Sequence, residues 1–229
     1  LKQEKLTILA TRKCPDAFTE IRLHELSRDN SRTLVERLLH VEGLTPKTKN
    51  RILDTCQGNP FFLEEVIHDL VEADLIYHDG DVWRARQEID ATPVPTRVQS
   101  VILARVDRLG LEMKQALQYA SVIGRLFAPQ LLTMTLANTL DVEGTLHALE
   151  AVAFVYPQQT VPHVVYSFRH VLTQEAVYNT LPRQRRAEVH ALVGQAIERI
   201  YLGELDEVID RLAYHFDRSD SSEKAIEYL

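Results

Sequence analysis

A chain of 229 residues with 45% hydrophobic and 26% charged residues has ordinary globular usage and room for one or two domains with real cores, which excludes a disordered or low-complexity chain. Its 33 acidic against 26 basic residues give a formal net charge of −7, so the chain as a whole repels a polyanion, and nucleic-acid binding would need a local basic face. It contains no run of about 18 uncharged apolar residues, and the start Leu1-Lys2-Gln3-Glu4-Lys5 lacks a secretory pattern, so a soluble, cytoplasmic protein with reduced Cys14 and Cys56 is expected.

The first element is a short apolar run, Leu6 to Ala10, that reads as a buried strand. Helical periodicity follows. Leu34, Val35, Leu38 and Leu39 form one face of a helix over 31–40, and Thr45-Pro46 opens a second helix that runs towards Cys56. Gly58-Asn59-Pro60 breaks it, with Asn59 as cap and Pro60 at the start of a third helix whose face is Phe61, Phe62, Val66, Leu70 and Val71. Two β-compatible runs flank Asp79-Gly80 and predict a hairpin. Ala91-Thr92-Pro93-Val94-Pro95 is an extended connector, because each proline removes its predecessor from the α region. Thr96 is then the expected cap of a helix through Leu109, a further helix spans Glu112 to Ile123 and stops at Gly124, and Pro129 and Asp141 begin two more. The aromatic and β-branched stretch from Ala153 to Phe168 predicts a second hairpin, so that helices followed by a wing give the winged-helix order from Thr96 to Leu181. From Arg183 onward the pattern is helical, with a small-residue face of the kind on which helical hairpins stack.

Few residue groups have the spacing of a reactive site. A phosphate loop of the form G-x-x-x-x-G-K-[ST] is missing from the sequence, so the chain by itself is expected to have no ATPase activity. The acids of Val71-Glu72-Ala73-Asp74 resemble the end of a magnesium-binding strand, but their helical spacing favours surface acids. The nine histidines and two cysteines include no pair at metal-finger spacing, and Ser121 in Ala120-Ser121-Val122-Ile123-Gly124 reads as a small packing residue rather than a nucleophile. Arg105, Arg108, Arg183, Arg185 and Arg186 would form a phosphate-binding stripe if the winged helix read DNA; a solvated or interdomain face is the favoured reading.

Five segments occur in a recognisable order: Gly58-Asn59-Pro60-Phe61-Phe62-Leu63-Glu64-Glu65; Val94-Pro95-Thr96; Val101 to Leu109 (VILARVDRL); Ala120 to Gly124; and Tyr166-Ser167-Phe168-Arg169-His170. Together they resemble the STAND class of P-loop ATPases (AAA/NB-ARC-like), in the branch associated with bacterial adenylate and guanylate cyclases, kinases and transcriptional regulators. The resemblance implies a mainly α chain. Residues 1–12 would be the last strand of the ATPase core, 13–92 a helical lid with a hairpin, 93–182 a winged-helix domain with small β-hairpins, and 183–229 the start of a TPR-like helical array. The phosphate loop and magnesium acids would precede Leu1, making this the regulatory part of an ATP/ADP switch that uses Mg in the full-length protein. Its partners would be the missing ATPase core, an effector such as a nucleotide cyclase, and proteins bound through the helical repeats, with neither nucleic acid nor membrane. The resemblance places Arg12 near a γ-phosphate, Gly58, Asn59 and Pro60 against an adenine, and His170 against a diphosphate. For each there is a plainer reading: an exposed arginine after a strand, a helix-breaking turn, and a histidine capping the wing–helix junction. The alternatives to the switch are a winged-helix DNA-binding transcriptional regulator and a structural helical scaffold.

Overall fold

The computed structural model describes residues 24–38, 41–80, 82–92, 94–137, 139–159 and 164–228. The expected strand at Leu6 to Ala10, Arg12 and Cys14 lie outside the described residues. The described chain is mainly helical, with eleven α-helices and two three-stranded sheets.

The first part comprises α1 (Arg28–Leu38), β1 (Val41–Glu42), α2 (Pro46–Cys56), α3 (Pro60–Glu72) and the hairpin β2 (Ile76–Asp79) and β3 (Val82–Ala85), followed by a short 3-10 turn, Gln87–Asp90. Local chemistry sets the helix starts. The Thr45 hydroxyl accepts from the Thr48 amide and the Asn59 side chain accepts from the Phe62 amide, with Pro46 and Pro60 each at the first helical position. The hairpin turns at Gly80, and β1 adds to β3 in parallel, pairing Val41 with Trp83. Val35, Ile52, Leu53, Leu63, Val66, Leu70, Ile76 and Ile89 close one core over these elements. The 3-10 turn is pinned to α2: the hydroxyls of Thr45 and Thr48 donate to Asp90, and Arg51 donates to the Ile89 and Asp90 carbonyls.

The second part begins with α4 (Val98–Arg108), whose cap position is Arg97 and carries no side-chain cap bond, rather than the expected Thr96. Then come α5 (Leu111–Ile123), β4 (Leu126–Phe127), α6 (Pro129–Thr135), α7 (Val142–Ala151), β5 (Val155–Gln159), β6 (Val164–Phe168) and α8 (Val171–Thr180). The sheet order β4-β6-β5, antiparallel throughout, is the winged-helix sheet, with the β5–β6 hairpin as the wing. Gly124 ends α5 at φ +139 and Asp141 caps α7, as the residue types predict. The short β4 had no sequence signal of its own.

The 18-residue α9 (Arg183–Ile200) follows and, after the 3-10 turn Leu205–Val208, the shorter α10 (Ile209–Asp217) packs on it, with α11 (Ser222–Tyr228) against α10. Gly194 lets α9 approach α10 closely: a methyl group there would lie 2.7 Å from the Phe216 ring. Winged helix and helical hairpin share one core, from Ile102, Leu117, Phe127 and Phe168 to Val193, Leu212 and Phe216. The two cores divide inside α4, where Val101 belongs to the first, Ile102 and Val106 to the second, and Val98 packs against both. No helix among the described residues is long and apolar enough to cross a membrane.

Candidate functional site

The Gly58-Asn59-Pro60 turn lies on an open groove of about 410 Å³ lined also by His24, Glu25, Thr55, Cys56, Gln57, Phe62 and Thr96. That volume is within the range of small-molecule sites. Gly58 takes φ +78, and a Cβ there would sit 2.3 Å from the Leu26 carbonyl oxygen. Its own carbonyl accepts from the Leu26 amide at 2.8 Å, so the turn is clamped against the segment before α1. Pro60 has no N–H and Asn59 Oδ1 takes the Phe62 amide. Among the described residues this leaves the Phe61 amide open at the start of α3. Cys56 takes no reactive part, since burial pushes its thiol up to about 12.

His170 is not among the groove's lining residues, yet the fold brings it to the same helix start. Its imidazole stacks on Phe61 with ring centroids 3.6 Å apart and planes 11° from parallel. At the end of the wing it is the cap of α8, Nδ1 accepting from the Leu172 amide at 3.3 Å. The capping role of the plainer reading is therefore present. It occupies one ring nitrogen and leaves Nε2. Burial lowers the His170 pKa, Arg125 lowers it further, and Glu64 opposes them. Two helical turns along α3 from Phe61, His68 is pushed down to about 4 by burial and by the charges of Arg105 and Arg169.

Beside this seam α3 and α4 are joined by ions. Arg105, 1% exposed, donates to Glu65 Oε2 at 2.7 Å, through Nε and NH2 to Glu72 Oε1 at 2.9 and 2.6 Å, and to the Val152 carbonyl at 2.7 Å. Its guanidinium also lies 4.7 Å from the Phe154 ring centroid. Burial pushes the Glu65 carboxyl up while the Arg105 charge pulls it down. Arg108 extends the pairing to Asp69 at 2.6 Å. Sequence reasoning missed this network, although its signal was a charge inside each apolar stripe: Glu65 between Leu63 and Val66, Arg105 between Ile102 and Val106.

Residues 27–84 match the family model of a domain of unknown function, DUF8739. No curated protein matches the chain. The DUF8739 span covers α1 through nearly all of β3, and so contains the Gly58-Asn59-Pro60 turn, Phe61 and the acids Glu65 and Glu72. His170 and Arg105, which meet them, lie outside it.

The acids and arginines depart from expectation, whereas Ser121 keeps its expected packing role. Glu72 is not a surface acid but a partner of buried Arg105; Asp74 is exposed and pairs with Arg86 at 2.6 Å. Of the five arginines, Arg183 is exposed, and the other four are engaged within the fold. Arg105 is buried, Arg108 is paired, Arg185 donates to Glu188 and to the Tyr119 hydroxyl, and Arg186 lies over the Tyr178 ring. Ser121 is buried and donates to the Gln118 carbonyl. Among the described residues no group of three or more His, Cys, Asp or Glu is placed to hold a metal ion.

Proposed function

We propose that this chain is the regulatory part of a STAND-type nucleotide switch, in which the DUF8739 helices act as the lid and the winged helix reads the nucleotide state for an attached effector. The observation that carries the reading is the Phe61–His170 stack, which unites the start of the lid helix α3 with the wing-to-helix histidine across the seam. On this reading Gly58, Asn59 and Pro60 hold the adenine end of ADP or ATP, and His170 donates from Nε2 towards the phosphates. A bound nucleotide supplies the negative charge that distinguishes the two states. The phosphate loop and magnesium acids belong to an ATPase core that these 229 residues do not encode, with Arg12 at its junction. His170 holds the closed ADP state, and its contact weakens when the seam opens.

The winged-helix DNA-binding alternative is disfavoured by α7, the helix that a winged-helix domain places in the major groove. Its outward residues are Glu143, His147 and Glu150, beside the exposed Asp141, with no lysine or arginine along it. This face repels a phosphate backbone.

The reading is tested by calorimetry on the chain joined to its ATPase core. A hydrogen bond to a charged group is worth about 1.5–3 kcal/mol, so His170→Ala should weaken ADP roughly ten- to a hundredfold and ATP much less. Equal loss for both nucleotides, or none, would reject the switch role.

A further inference from the structure

Phe61 and His170 meet through three geometric facts. The imidazole is parallel to the phenyl ring at 3.6 Å, a contact that fixes the ring plane. The Leu172 N–H points at Nδ1, which must therefore present its lone pair. The backbone at His170 is extended, at φ −141 and ψ 146, so the side chain leaves the end of β6 just where α8 begins, between two regular elements.

From these we infer that Phe61 is the positioning residue of His170: stack and cap together hold the imidazole as one neutral tautomer with its proton on Nε2, aimed from the lid–wing seam as a single hydrogen-bond donor for an anionic oxygen.

The two contacts have separate tasks. The Leu172 amide decides which nitrogen carries the proton, because protonating Nδ1 would set two N–H groups against each other and break the cap. The Phe61 ring decides where the remaining donor points. Because Phe61 follows Pro60 in the first turn of α3, any movement of that helix away from the winged helix withdraws the stack and frees the imidazole to rotate. The lid helix thereby sets the aim of the histidine without contacting the ligand through that ring. The identity of the anionic oxygen, a nucleotide phosphate, rests on the function proposed above; the tautomer and the positioning do not.

The test uses imidazole ¹⁵N resonances of the full 229-residue chain without nucleotide, with His170 assigned from the signal lost in His170→Gln. Wild type should show a protonated Nε2 and an unprotonated Nδ1. Phe61→Ala should let the ring average, moving the tautomer populations towards a free imidazole mixture and the His170 titration midpoint up towards its ordinary value, whereas Phe61→Tyr should keep the wild-type pattern. A proton on Nδ1 in wild type, or identical His170 signals in Phe61→Ala, would overturn the inference. Circular dichroism on each variant separates this from unfolding, and Phe61→Leu, which keeps the apolar volume without the aromatic face, should behave like Phe61→Ala. In the protein carrying its ATPase core, Phe61→Ala should weaken ADP by about two- to tenfold, the worth of one aromatic pair, with Phe61→Tyr restoring it. Wild-type ADP binding that leaves the Nε2 signal unmoved would reject the nucleotide reading while the tautomer result upholds the positioning.

Discussion

His190 and His215 face each other with their Nδ1 atoms 2.9 Å apart, and the Tyr178 hydroxyl meets His190 Nε2 at 3.1 Å, so α8, α9 and α10 are tied by one buried chain of hydrogen bonds. Both imidazoles are neutral. Burial and the charges of Arg218 and Arg186 push His190 down to about 4, and burial, His190, Arg211 and Arg218 push His215 down to about 3. A histidine whose folded pKa is depressed gives stability that is present above its unfolded pKa of about 6.5 and lost as pH falls towards the folded value. Between pH 6.5 and 5 each imidazole should therefore cost about 2 kcal/mol, and His68 acts in the same direction. Urea melts at pH 7 and pH 5 check this: the midpoint should fall markedly in acid, and an unchanged midpoint would mean that the pair is not buried neutral. Arg105 presents the opposite case of a buried charge that must stay paired. Arg105→Met leaves Glu65 buried without a cation and Glu72 with only the 3.8 Å contact to Arg108, and should cost about 3–5 kcal/mol, whereas adding Glu65→Leu and Glu72→Met should recover most of the loss. A triple variant no more stable than Arg105→Met would show that the arginine acts through packing on Phe154 instead.

At the level of elements, the helix starts were the most legible features of the sequence. Thr45-Pro46, Asn59-Pro60 and Asp141 each name a cap by local chemistry, and each caps in the structure. The expected cap at Thr96 is displaced by one residue, Arg97 taking the cap position without a side-chain cap bond. The two-residue strands β1 and β4 were illegible because they exist only through partners in β3 and β6. The Gly58-Asn59-Pro60 turn and His170 were both singled out in the sequence, but the stack of Phe61 on His170 was not, since no local pattern encodes a contact between residues so far apart in the chain. At the turn itself, Asn59→Ala should cost about 1 kcal/mol, the worth of a cap. Gly58→Ala should cost more, about 2 kcal/mol or above, because it adds left-handed strain to a 2.3 Å approach to the Leu26 carbonyl. Thermal melts compare the two, and a Gly58 variant milder than the Asn59 variant would show that the segment before α1 yields.

Across the whole molecule, the DUF8739 helices and the winged helix are coupled through α4. Its residue Val101 fills the first core, Ile102 and Val106 fill the second, and Arg105 between them grips acids on α3 and the carbonyl after α7. Nothing comparable divides the winged helix from the helical hairpin beyond it, where Val189, Val193 and Phe216 continue one core. The chain therefore cannot be dissected at any single peptide bond into two self-sufficient pieces. A cut before Val98 takes Val101 and the Arg105 counter-charge from the first part, and a cut after Arg108 strips Ile102 and Val106 from the winged helix. Fragments meant for separate expression would both need a copy of this helix. In gene fusions these two parts would be inherited as a single cassette, so a further domain would be attached outside the pair rather than between its members.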